Sequence, residues 1–232
     1  MRILYKKLKP LIPHKCPAYA DICAHVQKVE DFGDIMTTGH ENTHQIASDI
    51  ANKVGKGRDR NVGLYGLDDI GFVIDEPNTT IQAVARKVPQ EWRGGICKVY
   101  DLYLVKQAAS WGNRPLYLAD EWFAYTAGSV IALQAAKAGD SDPNRWSELQ
   151  NAIYFNMFMA VEYSILRKND AVFEMMVFNY KRVDEIFKES QKYPTLVRQE
   201  TTELLTRFYG TEFYKPFAGA DKLPDYGFEE YL

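Results

Sequence analysis

Cysteine is scarce in this chain: Cys16, Cys23 and Cys97 are the three present among 232 residues. A small, odd number builds no disulfide framework and fits a reducing compartment. The separation of Cys16 from Cys23 matches no CxxC metal or redox motif. Charge of one sign is also missing. The formal net charge is −3 and no long basic run occurs, so the electrostatic footprint of a nucleic-acid binder is absent. Long apolar runs are lacking too. The basic stretch Met1-Arg2-Ile3-Leu4-Tyr5-Lys6-Lys7 is followed by Pro10, Pro13, His14 and Lys15 in place of an apolar core. Neither a secretory leader nor a transmembrane segment is expected, the chain reads as soluble, and its compartment is left open. With 46% hydrophobic and 25% charged residues, the composition is that of an ordinary globular protein. At this length a core forms without disulfide or metal staples.

The expected layout is α+β and predominantly α-helical. A core over residues 1–139 carries a small sheet. A helical C-terminal subdomain over 140–232 packs on it, the two forming one compact unit. A short helix is expected around 18–29, and Thr38 opens a clearer one that runs to Lys53. The basic loop Gly55-Lys56-Gly57-Arg58-Asp59-Arg60 invites a phosphate reading that fails. It lacks the GxxxxGK[ST] spacing, and Arg60 stands where a dinucleotide fingerprint needs glycine. Residues 63–75 read as two short strands about a turn at Asp68-Asp69. Helices are expected over 79–87, 96–111 and 118–138, with Gly112-Asn113-Arg114-Pro115 as a break. Asp142-Pro143 reads as an N-cap with proline at the first helical position. Helices then follow near 143–167, 171–191 and 194–209. Tyr154, Phe155, Phe158 and Val161 fall at helical spacing and belong to a core. The tail from Gly210 is expected to be irregular.

The informative sequence is His40-Glu41-Asn42-Thr43-His44. Two histidines four apart on a helix differ by about 40° of rotation and one turn of rise, so both rings leave one face. That pair suits tetrahedral zinc, which takes a third protein ligand and keeps one position for water. Glu41 lies beside His40. It can reach that water as general base without binding the metal, and later pass the proton to the leaving amine. Thr37, Thr38, Asn42, Thr43 and Ile46 place no competing charge nearby. In a chain with four histidines, a chance HExxH is expected in fewer than about one chain in a hundred, from residue frequencies at that spacing. A capping box over Thr38-Gly39-His40-Glu41 would account for Glu41 but not for the paired histidines.

The third ligand decides the subclass. Ala47 and Ile50 stand where a metzincin needs Gly and His, and no Glu occurs between His44 and Glu76. Glu121 is the leading candidate, in Tyr117-Leu118-Ala119-Asp120-Glu121-Trp122-Phe123-Ala124-Tyr125. Ala124, Gly128 and Ala132 near its helical face would let this helix approach the His40 helix. Asp120, Glu76, Asp68 or Asp69, and His25 are the alternatives. The HExxH pattern resembles the zincin metallopeptidases. A glutamate from a second helix makes the resemblance gluzincin-like, and Glu121-Trp122-Phe123-Ala124 resembles a stretch of the lethal-factor-like peptidases. The likeness covers these two helices and nothing after Gly139.

The resemblance implies a zinc-dependent peptidase. Its metal would be Zn2+ on His40, His44 and Glu121, with Glu41 as base. A tyrosine would donate to the developing oxyanion: Tyr117 or Tyr125, with Arg114 a further candidate. Either tyrosine also fits ordinary packing, since the chain has 15. Ser48 is one turn past His44 and is a candidate to support it. The expected partner is a peptide or protein substrate, with no nucleic acid and no membrane, and oligomeric state is open. Two other readings stand beside this one: a zincin-fold metal-binding module without general proteolysis, and a metal-free helical interaction protein.

Overall fold

A computed structural model describes residues 1–56, 60–94, 98–140, 145–166 and 169–219, with the backbone of 229–231. Parts of four expectations lie outside these residues: Gly57-Arg58-Asp59 of the basic loop, Ile96 and Cys97 at the head of one helix, the Asp142-Pro143 cap, and residues 220–228 and 232 of the tail. The fold is predominantly helical with a small, mainly antiparallel sheet.

Four strands make the sheet: β1 (Arg2–Tyr5), β2 (Asn61–Tyr65), β3 (Ile70–Asp75) and β4 (Glu229–Tyr231), in the order β2-β3-β1-β4. β2 and β3 form the expected hairpin, paired from Asn61↔Asp75 to Tyr65↔Gly71. β1 was not legible in the sequence. It pairs antiparallel with β3, and β4 runs parallel beside it. A four-residue strand carries little local signal, and here Ile3 and Tyr5 are buried in alternation only because β3 supplies a ladder. For the same reason β4 corrects the wholly irregular tail.

The hairpin turn sits where the sequence put it. Leu67, Asp68 and Asp69 all have positive φ, at 65°, 55° and 64°. Aspartate tolerates that region better than leucine does, and the turn is clamped from outside. Arg182 donates to the Gly66 carbonyl and to Asp68, while the Asp68 N–H donates to Asp21 Oδ2 at 3.1 Å.

Helix α1 (Pro17–His25) is shorter than the sequence suggested. Helix α2 (Ile35–Lys53) begins earlier, because Asp34 and not Thr38 is its cap: Asp34 Oδ1 accepts from the N–H groups of Met36 and Thr37 at 2.9 and 3.0 Å. The capping-box reading of Thr38 and Glu41 is therefore overturned, since both lie within the helix. α2 lies directly against β2. A Cβ on Gly63 would stand 2.2 Å from the Ala47 carbonyl oxygen, which is backbone and cannot rotate away. Gly63→Ala is expected to cost about 1–3 kcal/mol through overpacking, read as a lower denaturant midpoint with an unchanged slope. An unchanged midpoint would mean the helix and strand can part without cost.

Helix α3 (Ile81–Lys87) leads to a π-helical segment (Tyr100–Lys106) and a single turn, α4 (Ala108–Trp111), where one regular helix was expected. Then come α5 (Tyr117–Lys137), α6 (Trp146–Ile165), α7 (Asp170–Ser190) and α8 (Gln199–Tyr209). No strand occurs between 145 and 209 among the described residues. α6 packs on α5, α7 and α8 and is buried nearly all round, with Tyr154, Phe155, Phe158 and Val161 in the core as expected. No helix among the described residues is long and apolar enough to cross a membrane.

Candidate metal centre

His40 and His44 sit in the middle of α2 and face α5. The two helices approach closely because Gly39 has no side chain. A Cβ there would meet Ile131 Cδ1 of α5 at 2.2 Å. Gly128 has a different neighbour from the one expected: its open side is filled by Glu148 of α6, whose Oε2 would lie 2.4 Å from an added Cβ. The small face of α5 thus admits a carboxylate from α6, and Gly39 is what lets α2 in.

The convergence is tight. His40 Nε2 and His44 Nε2 are 3.3 Å apart, and Glu121 Oε2 lies 3.6 Å from the first and 3.9 Å from the second. Three ligands on a tetrahedral ion with bonds of about 2.1 Å would be about 3.4 Å apart. The outer nitrogens are accounted for. Asp120 Oδ2 is 2.8 Å from His44 Nδ1, and Glu148 Oε2 is 3.7 Å from His40 Nδ1. Carboxylates at both Nδ1 positions favour the proton there, which turns the Nε2 lone pairs inward. Glu121 Oε2 is buried and accepts no hydrogen bond within ordinary distance. Three electron-rich atoms facing one another, one of them an orphaned buried oxygen, fit a cation.

Electrostatics agree. Burial opposes charging His40, yet the carboxylates of Glu121 and Glu148 outweigh it and raise its pKa to about 10. For His44 burial again opposes, and Asp120 prevails with help from Glu121, so its pKa is raised. Burial pushes Glu121 up, but the two imidazoles overcome it and hold its carboxyl below the usual range. The pocket draws positive charge, which protons or one divalent ion can provide.

No family model, curated protein or solved structure matches this chain. The site therefore stands on its own geometry.

Each residue singled out in the sequence has a definite place. His40, His44 and Glu121 come together. Glu41 is half-buried on the same helix, one residue from His40, with no hydrogen bond or ion pair among the described residues. Tyr117 lines an open cleft of about 370 Å³ that also contains His44 and Asp120. Its ring stacks on Trp111 at 4.6 Å, and its hydroxyl donates to Gln107. The Tyr125 hydroxyl is engaged with that of Tyr103 at 2.7 Å, and its ring packs edge-on against His40 with centroids 4.5 Å apart. Ser48 and Arg114 line the cleft. The support for His44 anticipated at Ser48 comes instead from Asp120, which engages the outer nitrogen and does not share the convergence point.

The remaining alternatives for the third ligand lie elsewhere. Glu76 is in the cleft but accepts the Leu116 N–H at 3.3 Å. His25, Asp69 and Asp21 form a separate cluster. Lys7 bridges both aspartates there, the Tyr65 hydroxyl donates to Asp21, and His25 Nε2 lies 3.0 Å from Asp69 Oδ1. That group is a clamp between α1, β1 and the hairpin turn, with Lys7 set between its two carboxylates.

Glu148 is the residue that sequence reasoning missed. It is an acidic residue in the first turn of a mostly apolar helix, which ordinarily reads as a favourable charge at a helix start, and nothing local marks it as a partner of His40. Glu148→Gln preserves shape and removes the charge. It is expected to weaken zinc affinity by about ten- to a hundredfold, the scale for a lost orienting partner, measured by competition with a chromophoric chelator. Unchanged affinity would reduce Glu148 to packing.

Proposed function

We propose that this chain is a zinc-dependent peptidase of the gluzincin kind, with His40, His44 and Glu121 as the metal ligands. The observation that carries the reading is the convergence of two inward Nε2 atoms on a buried carboxylate oxygen that accepts no hydrogen bond. Zinc in such a site supplies Lewis acidity toward water and a peptide carbonyl. The other steps belong to the chain. Asp120 fixes the His44 tautomer by a hydrogen bond, and the Glu148 charge 3.7 Å from His40 Nδ1 favours the proton on that side of His40. Glu41, whose side chain has no partner among the described residues, takes a proton from the attacking water and returns it to the departing amine. Tyr117, at the cleft wall beside His44, turns its hydroxyl from Gln107 to donate to the oxygen that gains charge. The cleft lined by α2, β2 and the segment from Trp111 to Asp120 receives the substrate.

One observation favours the module without proteolysis. The cleft lining includes His44, Asp120 and Tyr117 but not Glu41, so the base would have to reach the water from the rim. The test has two stages. Protein stripped by chelator and given zinc should bind about one equivalent tightly. Failure to bind would return the chain to the metal-free helical interaction protein. The zinc-loaded protein should then cleave members of a peptide mixture, read by mass spectrometry. Tight zinc without cleavage would favour the binding module.

A further inference from the structure

We infer that the cleft selects peptides that place a carboxylate side chain against Arg60 and Arg114, an inference that rests on the peptidase reading above. Both arginines are exposed and both line the cleft that holds His44. Arg60 donates to the carbonyl of Asn113, the residue before Arg114, so the two guanidinium groups belong to one rim. The Arg114 side chain makes no hydrogen bond or ion pair among the described residues, and Arg60 makes no ion pair there. Other charged groups in the lining are Asp120 and Glu76, and neither forms an ion pair with the arginines. Asp120 is spent on His44. Glu76 accepts a backbone N–H, and its remaining oxygen is buried without a partner. Burial raises the Glu76 carboxyl to about 7 even though the Leu116 N–H, Arg60 and Arg114 pull it down, so it carries only part of a charge at neutral pH. Behind it the wholly buried Glu162 is pushed well up by desolvation and by Glu76 itself, and adds little negative charge.

Two guanidinium groups that make no ion pair among the described residues, on the wall of an open cleft, form a receptor for an anion. Arginine's planar fork matches a carboxylate in two parallel hydrogen bonds. The lining is small and uncharged at Ala47, Ser48 and Ala51, so a peptide can lie there without bulk or charge opposing it. Of the chemical features a peptide offers, an acidic side chain is the one these walls are built to hold.

The experiment uses the full chain loaded with zinc and an N-acetylated peptide mixture in which one position at a time is fixed as Glu, Gln or Lys. At one position, Glu peptides should be cleaved about tenfold or more faster than Gln peptides, the scale of one charge-assisted contact, with Lys peptides slowest. In the Arg60→Gln, Arg114→Gln double variant the Glu-to-Gln ratio should fall to about one while Gln peptides are still cleaved. Arg114→Gln alone, which breaks no side-chain contact, should lower the ratio part-way and guards against a folding defect in the double variant. Equal cleavage of Glu and Gln peptides, a preference for Lys, or a Glu preference that survives the double variant would overturn the inference. If the zinc-loaded wild type cleaves nothing, the peptidase reading fails separately. Retention of the same peptides on immobilised protein then decides: enrichment of Glu peptides, lost in the double variant, supports the arginine site, and no enrichment refutes it.

Discussion

Replacing Glu41 with glutamine should leave zinc content near that of the wild type and lower peptide turnover by at least about a hundredfold, the scale for losing a general base. The two outcomes separate because of where Glu41 stands. It is one residue from His40 on α2, outside the convergence of His40, His44 and Glu121, and bonded to nothing among the described residues. Glutamine keeps the length, the helix and a hydrogen-bond acceptor for water, but it takes up no proton at neutral pH. Metal is measured by elemental analysis after gel filtration, and turnover on the best peptide found for the wild type. Loss of zinc from Glu41→Gln would make Glu41 a ligand or a support of the site. Equal turnover by both forms would exclude a water-activating role for it.

What could be read from the sequence follows the range of the interactions involved. The HExxH pair was legible because helical geometry alone places His40 and His44 on one face, and no tertiary contact is needed to infer it. Glu121 was legible in part, since a carboxylate early in a strong helix is a candidate wherever that helix docks. Helices α5 to α8 and the β2–β3 hairpin carry apolar periodicity or turn chemistry over enough residues to declare themselves. The missed features are nonlocal. β1 exists through pairing with β3, a partner some 70 residues away in sequence at Ile3↔Gly71. The start of α2 turned on which of two good capping residues, Asp34 or Thr38, the chain would use. Gly39 and Glu148 matter through what faces them, Ile131 and His40, and their own neighbours in sequence say nothing of it. The regular helix expected through residues 100–106 is π-helical instead. That segment supplies Tyr103 to the Tyr125 hydroxyl, a contact no pattern of apolar residues encodes.

Glu121 and Asp120 are adjacent carboxylates, and their substitutions should differ sharply. Glu121→Ala is expected to abolish tight zinc binding. Structural zinc sites bind with about 10–16 kcal/mol, so one ligand among three or four contributes roughly 3 kcal/mol, more than a hundredfold in affinity. Asp120→Ala is expected to cost only about ten- to a hundredfold, because an orienting partner fixes the tautomer and direction of the ring and does not hold the ion. The assignment comes from the geometry. Glu121 Oε2 faces both Nε2 atoms, at 3.6 and 3.9 Å, whereas Asp120 Oδ2 lies 2.8 Å from His44 Nδ1, on the far side of that ring. One coupling complicates simple truncation. Asp120 Oδ1 is buried without a hydrogen bond, so Asp120→Ala also relieves an unsatisfied oxygen and can partly offset its own cost in fold stability. Zinc affinity and the thermal midpoint of the metal-free protein should therefore be measured on the same samples. Glu121→Ala should lose the metal and also some apo stability, since the carboxylate that favours the charged forms of His40 and His44, and is itself held low by them, goes with it. The reverse order, with Asp120→Ala losing all zinc and Glu121→Ala retaining it, would make Asp120 the ligand and would require His44 to turn its other nitrogen to the ion.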